Sequence, residues 1–104
     1  MRYRVDDLAQ KLPEQGERFV EAFRHQNLRA VLYAPKGYDP QQPHREDEVY
    51  VVIKGSGKLR VRDEVCLFEP GDMLYVEAGA PHQFEDFSQD LTVWAIFGPV
   101  VEGA

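Results

Sequence analysis

Glycine and proline punctuate the chain so closely that most intervening segments are short and read as strands. Eight Gly and seven Pro fall among 104 residues. Pro35-Lys36-Gly37, Gly55-Ser56-Gly57, Pro70-Gly71-Asp72 and Ala78-Gly79-Ala80-Pro81 are turn signals, and Asp63-Glu64 marks a further turn. Between them, residues 28–34, 48–54, 58–62, 65–68, 73–76, 82–85 and 91–97 carry the Val, Ile, Tyr and Phe that strands prefer. In the first of these, Leu28, Ala30 and Leu32 lie on one face and Arg29, Val31 and Tyr33 on the other. Residues 38–43 read as a loop. Residues 6–12 form a short helix that Asp6 or Asp7 caps and Pro13 ends. Residues 17–25 fit either a helical face or an edge strand and are read as a strand.

About eight short strands with no long helix predict an all-β fold, a small antiparallel β-barrel, because one open sheet would leave long unpaired edges. The expected organisation is one domain over residues 1–104, with a core barrel at about 28–98 and an N-terminal arm at 1–27. The tail, 98–104, is expected to be loose at its end.

Twelve Lys plus Arg against 18 Asp plus Glu give a net charge of −6, and the charges are scattered. That pattern lacks the basic footprint of a nucleic-acid or anionic-membrane binder. The single cysteine, Cys66, excludes an internal disulfide and any multi-cysteine zinc cluster. With no apolar signal-peptide core after Met1 and no long apolar run, a cytoplasmic protein is expected. Cys66 itself, on a short strand with no basic residue beside it in sequence, reads as a small core residue. His25 reads as a polar turn residue.

The remaining histidines stand near strand ends. Side chains repeat every second residue in an extended segment, so Gln42, His44, Glu46 and Glu48 share one face, with Tyr50 and Val52 continuing it inward. Asp47 has the opposite parity and is expected to face out. His82 follows Ala80-Pro81 at the start of another strand, with Phe84 on its face. If the two strands lie close, two imidazoles and a carboxylate converge, a set that suits a divalent transition metal and leaves coordination positions open. The same three residues also fit a metal-free, hydrogen-bonded polar cluster. Tyr50, Phe84 and Trp94 are candidates to line a cavity above the site, and fit barrel core equally well.

Two stretches resemble the paired motifs of a small single-domain cupin. In the first, Gln42-Pro43-His44-Arg45-Glu46-Asp47-Glu48, six residues and Gly55 follow the family's pattern from its second histidine onward. In the second, Gly71, five residues, Glu77-Ala78-Gly79-Ala80-Pro81-His82, three residues and Asp86 keep its register. Gln42 replaces the first histidine, Glu77 a proline and Asp86 an asparagine, and Gly37 stands one residue out of place.

The resemblance implies a jelly-roll barrel, one divalent ion (Zn, Mn, Fe, Ni or Co) held by His44, Glu48 and His82, and a small-molecule ligand. Gln42 is a further candidate, as an amide-oxygen ligand, as a partner for metal-bound water, or as a vestige. The resemblance also implies a homodimer, with the edge strand at 17–24 available to extend a neighbour's sheet. Three functions stay open: a metal-dependent dioxygenase, isomerase or lyase; a non-catalytic binding or sensing module; and a metal-free structural domain.

Overall fold

Alternating Val, Tyr and Phe give most strands one apolar face, and these faces turn toward a common interior. The computed structural model describes all 104 residues. A short helix, α1 (Val5–Ala9), precedes eight strands: β1 (Phe19–His25), β2 (Leu28–Tyr33), β3 (Glu46–Lys54), β4 (Gly57–Val61), β5 (Glu64–Phe68), β6 (Met73–Val76), β7 (His82–Glu85) and β8 (Thr92–Val100). They form two antiparallel sheets, β1-β2-β8-β3-β6 and β5-β4-β7. Val31, Tyr33, Tyr50, Val52, Val93, Ala95 and Phe97 from the larger sheet meet Leu59, Phe68 and Phe84 from the smaller in one hydrophobic cluster. This is the expected all-β jelly roll, with the two sheets joined by no ladder and parted at their seams, one of them between β5 and β6, instead of closed into a continuous hydrogen-bonded cylinder.

The parted seam explains where Cys66 lies. Contrary to expectation it is exposed. Its backbone pairs with Leu59, but β5 is the edge of its sheet, and Cys66 lines a groove of about 400 Å³ between β5 and β6. An edge strand has no neighbour to cover its side chains, so correct parity does not bury the thiol.

Trp94 also departs from expectation. It pairs with Leu32 and Val51, while Val93 and Ala95 face the core, so its ring lies on the outer face of the larger sheet, away from the interior. On that outer face α1 packs against β1 and β2, and Leu32 is fully buried. Neither Asp6 nor Asp7 caps α1. Arg4 holds the N-cap position without a side-chain bond, and both acids lie inside the first turn, where they favour the helix dipole. The tail is pinned further than expected. β8 runs through Val100, paired with Glu46, and the Val101 amide donates to the Arg45 carbonyl at 2.8 Å.

The turn between β3 and β4 depends on its glycines. Gly55 has φ of +93°, and a Cβ there would stand 2.6 Å from the Leu91 Cα. Gly57 would meet the Phe87 Cα at 2.7 Å. The segment leading into β8 therefore crosses directly over this turn. Gly71 has a similar φ, +92°, with nothing within 4 Å of its would-be Cβ. Gly71→Ala is expected to cost about 1 kcal/mol from φ alone, and Gly55→Ala at least about 2 kcal/mol because contact with backbone adds to it. Urea unfolding of the two variants measures the difference.

Candidate metal centre and adjoining cavity

Glu48 is the first inward residue of β3 whose side chain is fully buried. The chain before it and the turn before β7 bring His44 and His82 to the same place. The Glu48 Oε1 lies 2.8 Å from His44 Nε2 and 3.3 Å from His82 Nε2. One potential ligand atom from each of the three lies within 4.8 Å of the others.

The other ring nitrogens settle the orientation. His44 Nδ1 lies 3.0 Å from the Glu46 carbonyl and His82 Nδ1 2.9 Å from the Ala80 carbonyl. A carbonyl only accepts, so each Nδ1 carries a proton and donates it. In the neutral imidazole each Nε2 then presents a lone pair toward the carboxylate. Two lone pairs and an anionic oxygen repel one another unless a positive charge enters, as a proton on an imidazole or as a metal cation. The Glu48 Oε2 and the His82 Nε2 are buried without a hydrogen-bond partner. Those two atoms fit a metal's need for free donors.

Protonation partly answers the same need. The hydrogen bond to Glu48 raises the His44 pKa against the opposing effect of burial. Burial would raise the Glu48 pKa, but the hydrogen bond from His44 and the nearness of both imidazoles outweigh it, and the net shift is downward.

Backbone contacts brace the two histidine-bearing segments against each other. The Gly79 amide donates to the His44 carbonyl at 2.7 Å. Asp47 faces away from the cluster, as its parity predicts, and its Oδ1 accepts from the Ala78 amide at 2.8 Å. The β3–β8 register slips between Glu46 and Glu48, where Asp47 of β3 opposes both Gly98 and Pro99 of β8. Glu46 does not join the cluster, although alternation places it on the face of Glu48. Its carboxylate stands 3.5 Å from the Arg29 guanidinium.

A second buried network anchors the loop that carries His44. Asp39 Oδ1 accepts from the Tyr33 hydroxyl at 2.5 Å and the Gln41 amide at 3.1 Å, and Oδ2 accepts from Gln41 Nε2 and the Phe84 amide, both at 2.8 Å. Gln41 Oε1 accepts from the Tyr50 hydroxyl at 2.9 Å. Burial first, and the Asp39 charge second, raise the Tyr33 pKa far above that of a free phenol. Burial likewise raises that of Tyr50. Both phenols stay protonated donors.

Asp39 and Gln41 were missed in the sequence reading. Asp-Pro-Gln is a recognisable signal for the first of them, because an aspartate before such a turn often bonds the amide two residues on. Gln42, the family-position candidate, is solvent-exposed at the rim, and it is the neighbouring Gln41 whose amide turns inward. Tyr50 and Phe84 are buried core rings, 4.8 Å apart between centroids. His25 is exposed at the end of β1.

A cavity of about 190 Å³ opens beside the cluster. Glu48, Tyr33, Gln41, Gln42, Arg29 and Glu17 supply its polar lining, and Phe19, Val31, Pro40, Ala95 and Phe97 its apolar lining. Tyr50, Phe84 and Trp94 are not among the lining residues.

Comparison with known proteins agrees with this fold. Residues 29–97 match the family model of the cupin domain, and the chain belongs to that family. The uncharacterized protein SCO3923 of Streptomyces coelicolor is 33% identical over 99 residues, spanning 93% of this chain and 94% of that one. Among solved structures, TT1209 from Thermus thermophilus has a TM-score of 0.77 at 25% identity, covering 94% of this chain and 96% of that one. A cupin-2 domain containing protein from Shewanella frigidimarina has a TM-score of 0.75 at 18% identity, covering 92% and 93%.

The protonation pattern gives chelator-treated protein a definite pH dependence. His44, raised from 6.5, contributes stability that is full below 6.5 and lost as pH rises through its folded value. Glu48, lowered from 4.5, contributes stability that is full above 4.5 and lost as pH falls through its folded value. The contribution of this pair is therefore greatest between 4.5 and 6.5. Unfolding midpoints measured across pH should show the alkaline decline, and His44→Gln should flatten it.

Proposed function

We propose that this cupin binds one divalent transition-metal ion through His44, Glu48 and His82, and receives a small polar molecule in the adjoining cavity. The observation that carries the proposal is the pair of imidazoles whose Nδ1 protons are spent on carbonyls while both Nε2 atoms face a buried carboxylate with an unpartnered oxygen. Zn, Mn, Fe, Ni and Co all accept this donor set. Three protein ligands leave positions open, and a metal there polarises a bound oxygen or lowers the pKa of bound water. Gln42 stands at the rim and serves ligand or solvent, while the Gln41 amide is committed to Asp39 and Tyr50.

Between turnover and binding, the cavity favours binding. Tyr33 and Tyr50 donate to Asp39 and Gln41 and keep their protons, so neither phenol serves as an acid or base near neutral pH. A binding or sensing module uses the metal to hold a ligand. The isomerase and lyase readings need a proton mover, and with both phenols held as donors Glu48 would have to supply it.

Untagged protein reconstituted with zinc or manganese should hold one ion per chain by elemental analysis. Glu48→Gln and His82→Ala should each lose it, with a metal-induced rise in thermal midpoint present only in the parent protein. Absence of stoichiometric metal after reconstitution would favour a metal-free structural role.

β1 is an edge of the larger sheet, with Phe19 exposed at its start, and is suited to add to the sheet of a second copy. Light scattering at micromolar concentration is expected to give twice the chain mass, and a monomer mass would contradict it. No helix is long and apolar enough to cross a membrane. A single free, exposed Cys66 suits the reducing cytoplasm.

A further inference from the structure

Three residues stand in one line across the inner face of the larger sheet. Arg29 of β2 pairs with Phe97 of β8, and Phe97 pairs with Glu48 of β3. Directly paired residues point to the same side, so a guanidinium, a phenyl ring and the cluster carboxylate lie side by side. At ordinary strand spacing the two outer backbones are roughly 10 Å apart. The Arg29 Cζ lies 4.0 Å from the centre of the Phe97 ring, and the His44 ring packs edge-on against the same phenyl with centroids 5.2 Å apart.

All three residues line the same cavity, and Arg29 is the only cation in its lining. The guanidinium is about a quarter exposed and rests on an aromatic face, with the Glu46 Oε2 at 3.5 Å as its acidic neighbour. Its remaining donors are available to an oxygen anion.

We infer that the cavity takes a short-chain monocarboxylate carrying an oxygen donor at its far end, with the carboxylate on Arg29, the methylenes along the wall of Val31, Ala95 and Phe97, and the donor beside His44, Glu48 and His82. This deepens the proposed function and rests on it for the donor's place. Size and charge narrow the class. A cavity of 190 Å³ is smaller than those that enclose drug-sized molecules and suits a molecule of roughly six to ten heavy atoms. Val31, Ala95 and Phe97 offer the chain an apolar wall. Glu17 at the cavity, Glu46 beside Arg29 and Glu48 in the cluster already supply three carboxylates near one arginine. A phosphate dianion or a dicarboxylate meets more repulsion there than one carboxylate does.

The test uses ω-hydroxy acids from glycolate to 5-hydroxypentanoate, each against its neutral amide, on cobalt-loaded full-length protein. Binding is followed by thermal shift and by the cobalt visible spectrum, which reports a change in the ion's coordination. The expected result is a carboxylate preference of at least about tenfold at an intermediate chain length, with the spectral change. Arg29→Gln should abolish the preference with cobalt content unchanged. Arg29→Lys should keep part of it, because the charge remains and the planar fork is lost. Glu46→Gln should strengthen it by releasing Arg29, and keeps the test available if the Arg29 variants fold poorly. Equal binding of acid and amide, no binding of either at millimolar concentration, or an unchanged preference in Arg29→Gln would overturn the inference. If the protein takes up no cobalt, the metal reading fails instead, and the acid-over-amide preference measured on metal-free protein still decides the role of Arg29.

Discussion

A buried carboxylate is costly unless its charge is answered, and the Glu48 side chain has no exposed surface. The segments around it are organised to answer that charge. Two imidazoles approach one of its oxygens, and each is turned by a carbonyl behind it so that the lone-pair nitrogen faces inward. The arrangement is electrostatically complete only with a cation in its midst, whether a proton or a metal ion. The same requirement accounts for the bracing. Gly79 reaches the His44 carbonyl and Asp47 reaches the Ala78 amide, so the two segments that carry the imidazoles cannot drift apart independently.

Asp39 solves a different problem with related means. The loop between β2 and β3 carries His44 and has no ladder of its own to satisfy it. One buried carboxylate takes four hydrogen bonds, from Tyr33, the backbone and side chain of Gln41, and Phe84, and so ties this loop to both sheets. Gln41 passes the order on to Tyr50, two residues beyond Glu48 on β3. The cavity thus takes part of its polar lining from this network, through Tyr33 and Gln41, and part from the Arg29–Phe97–Glu48 row. Shape and charge there are set by strand pairing, which side-chain packing alone would hold less firmly.

Much of this was legible in the residue order. Turn chemistry at Gly55-Ser56-Gly57 and Pro70-Gly71-Asp72 located strand ends to within about two residues. Period-two alternation put Glu48, Tyr50 and Val52 on one face and Asp47 on the other. Alternation did not secure burial where a strand is unpartnered: the open seam beside β5 leaves Cys66 uncovered. Trp94 was misplaced because a strand with apolar residues on both faces carries no parity signal to say which face is inside. Gln42 occupied the family position, but the Asp39 turn brings Gln41 inward, a choice made by hydrogen bonds to residues distant in sequence.

The sequence by itself determined the strand-rich architecture, its turns, and the identity of three groups able to share a cation, because these follow from local backbone preference and motif spacing. Only the tertiary structure decided which atoms meet. His44 and His82 are 38 residues apart, and their convergence on Glu48 comes from two sheets folding over one core. So does the alignment of Arg29 with Phe97 and Glu48, since β2, β8 and β3 are neighbours only after β8 inserts between the other two. Strand order and register are long-range properties, fixed by which apolar faces can be buried together, and no local pattern in the chain encodes them.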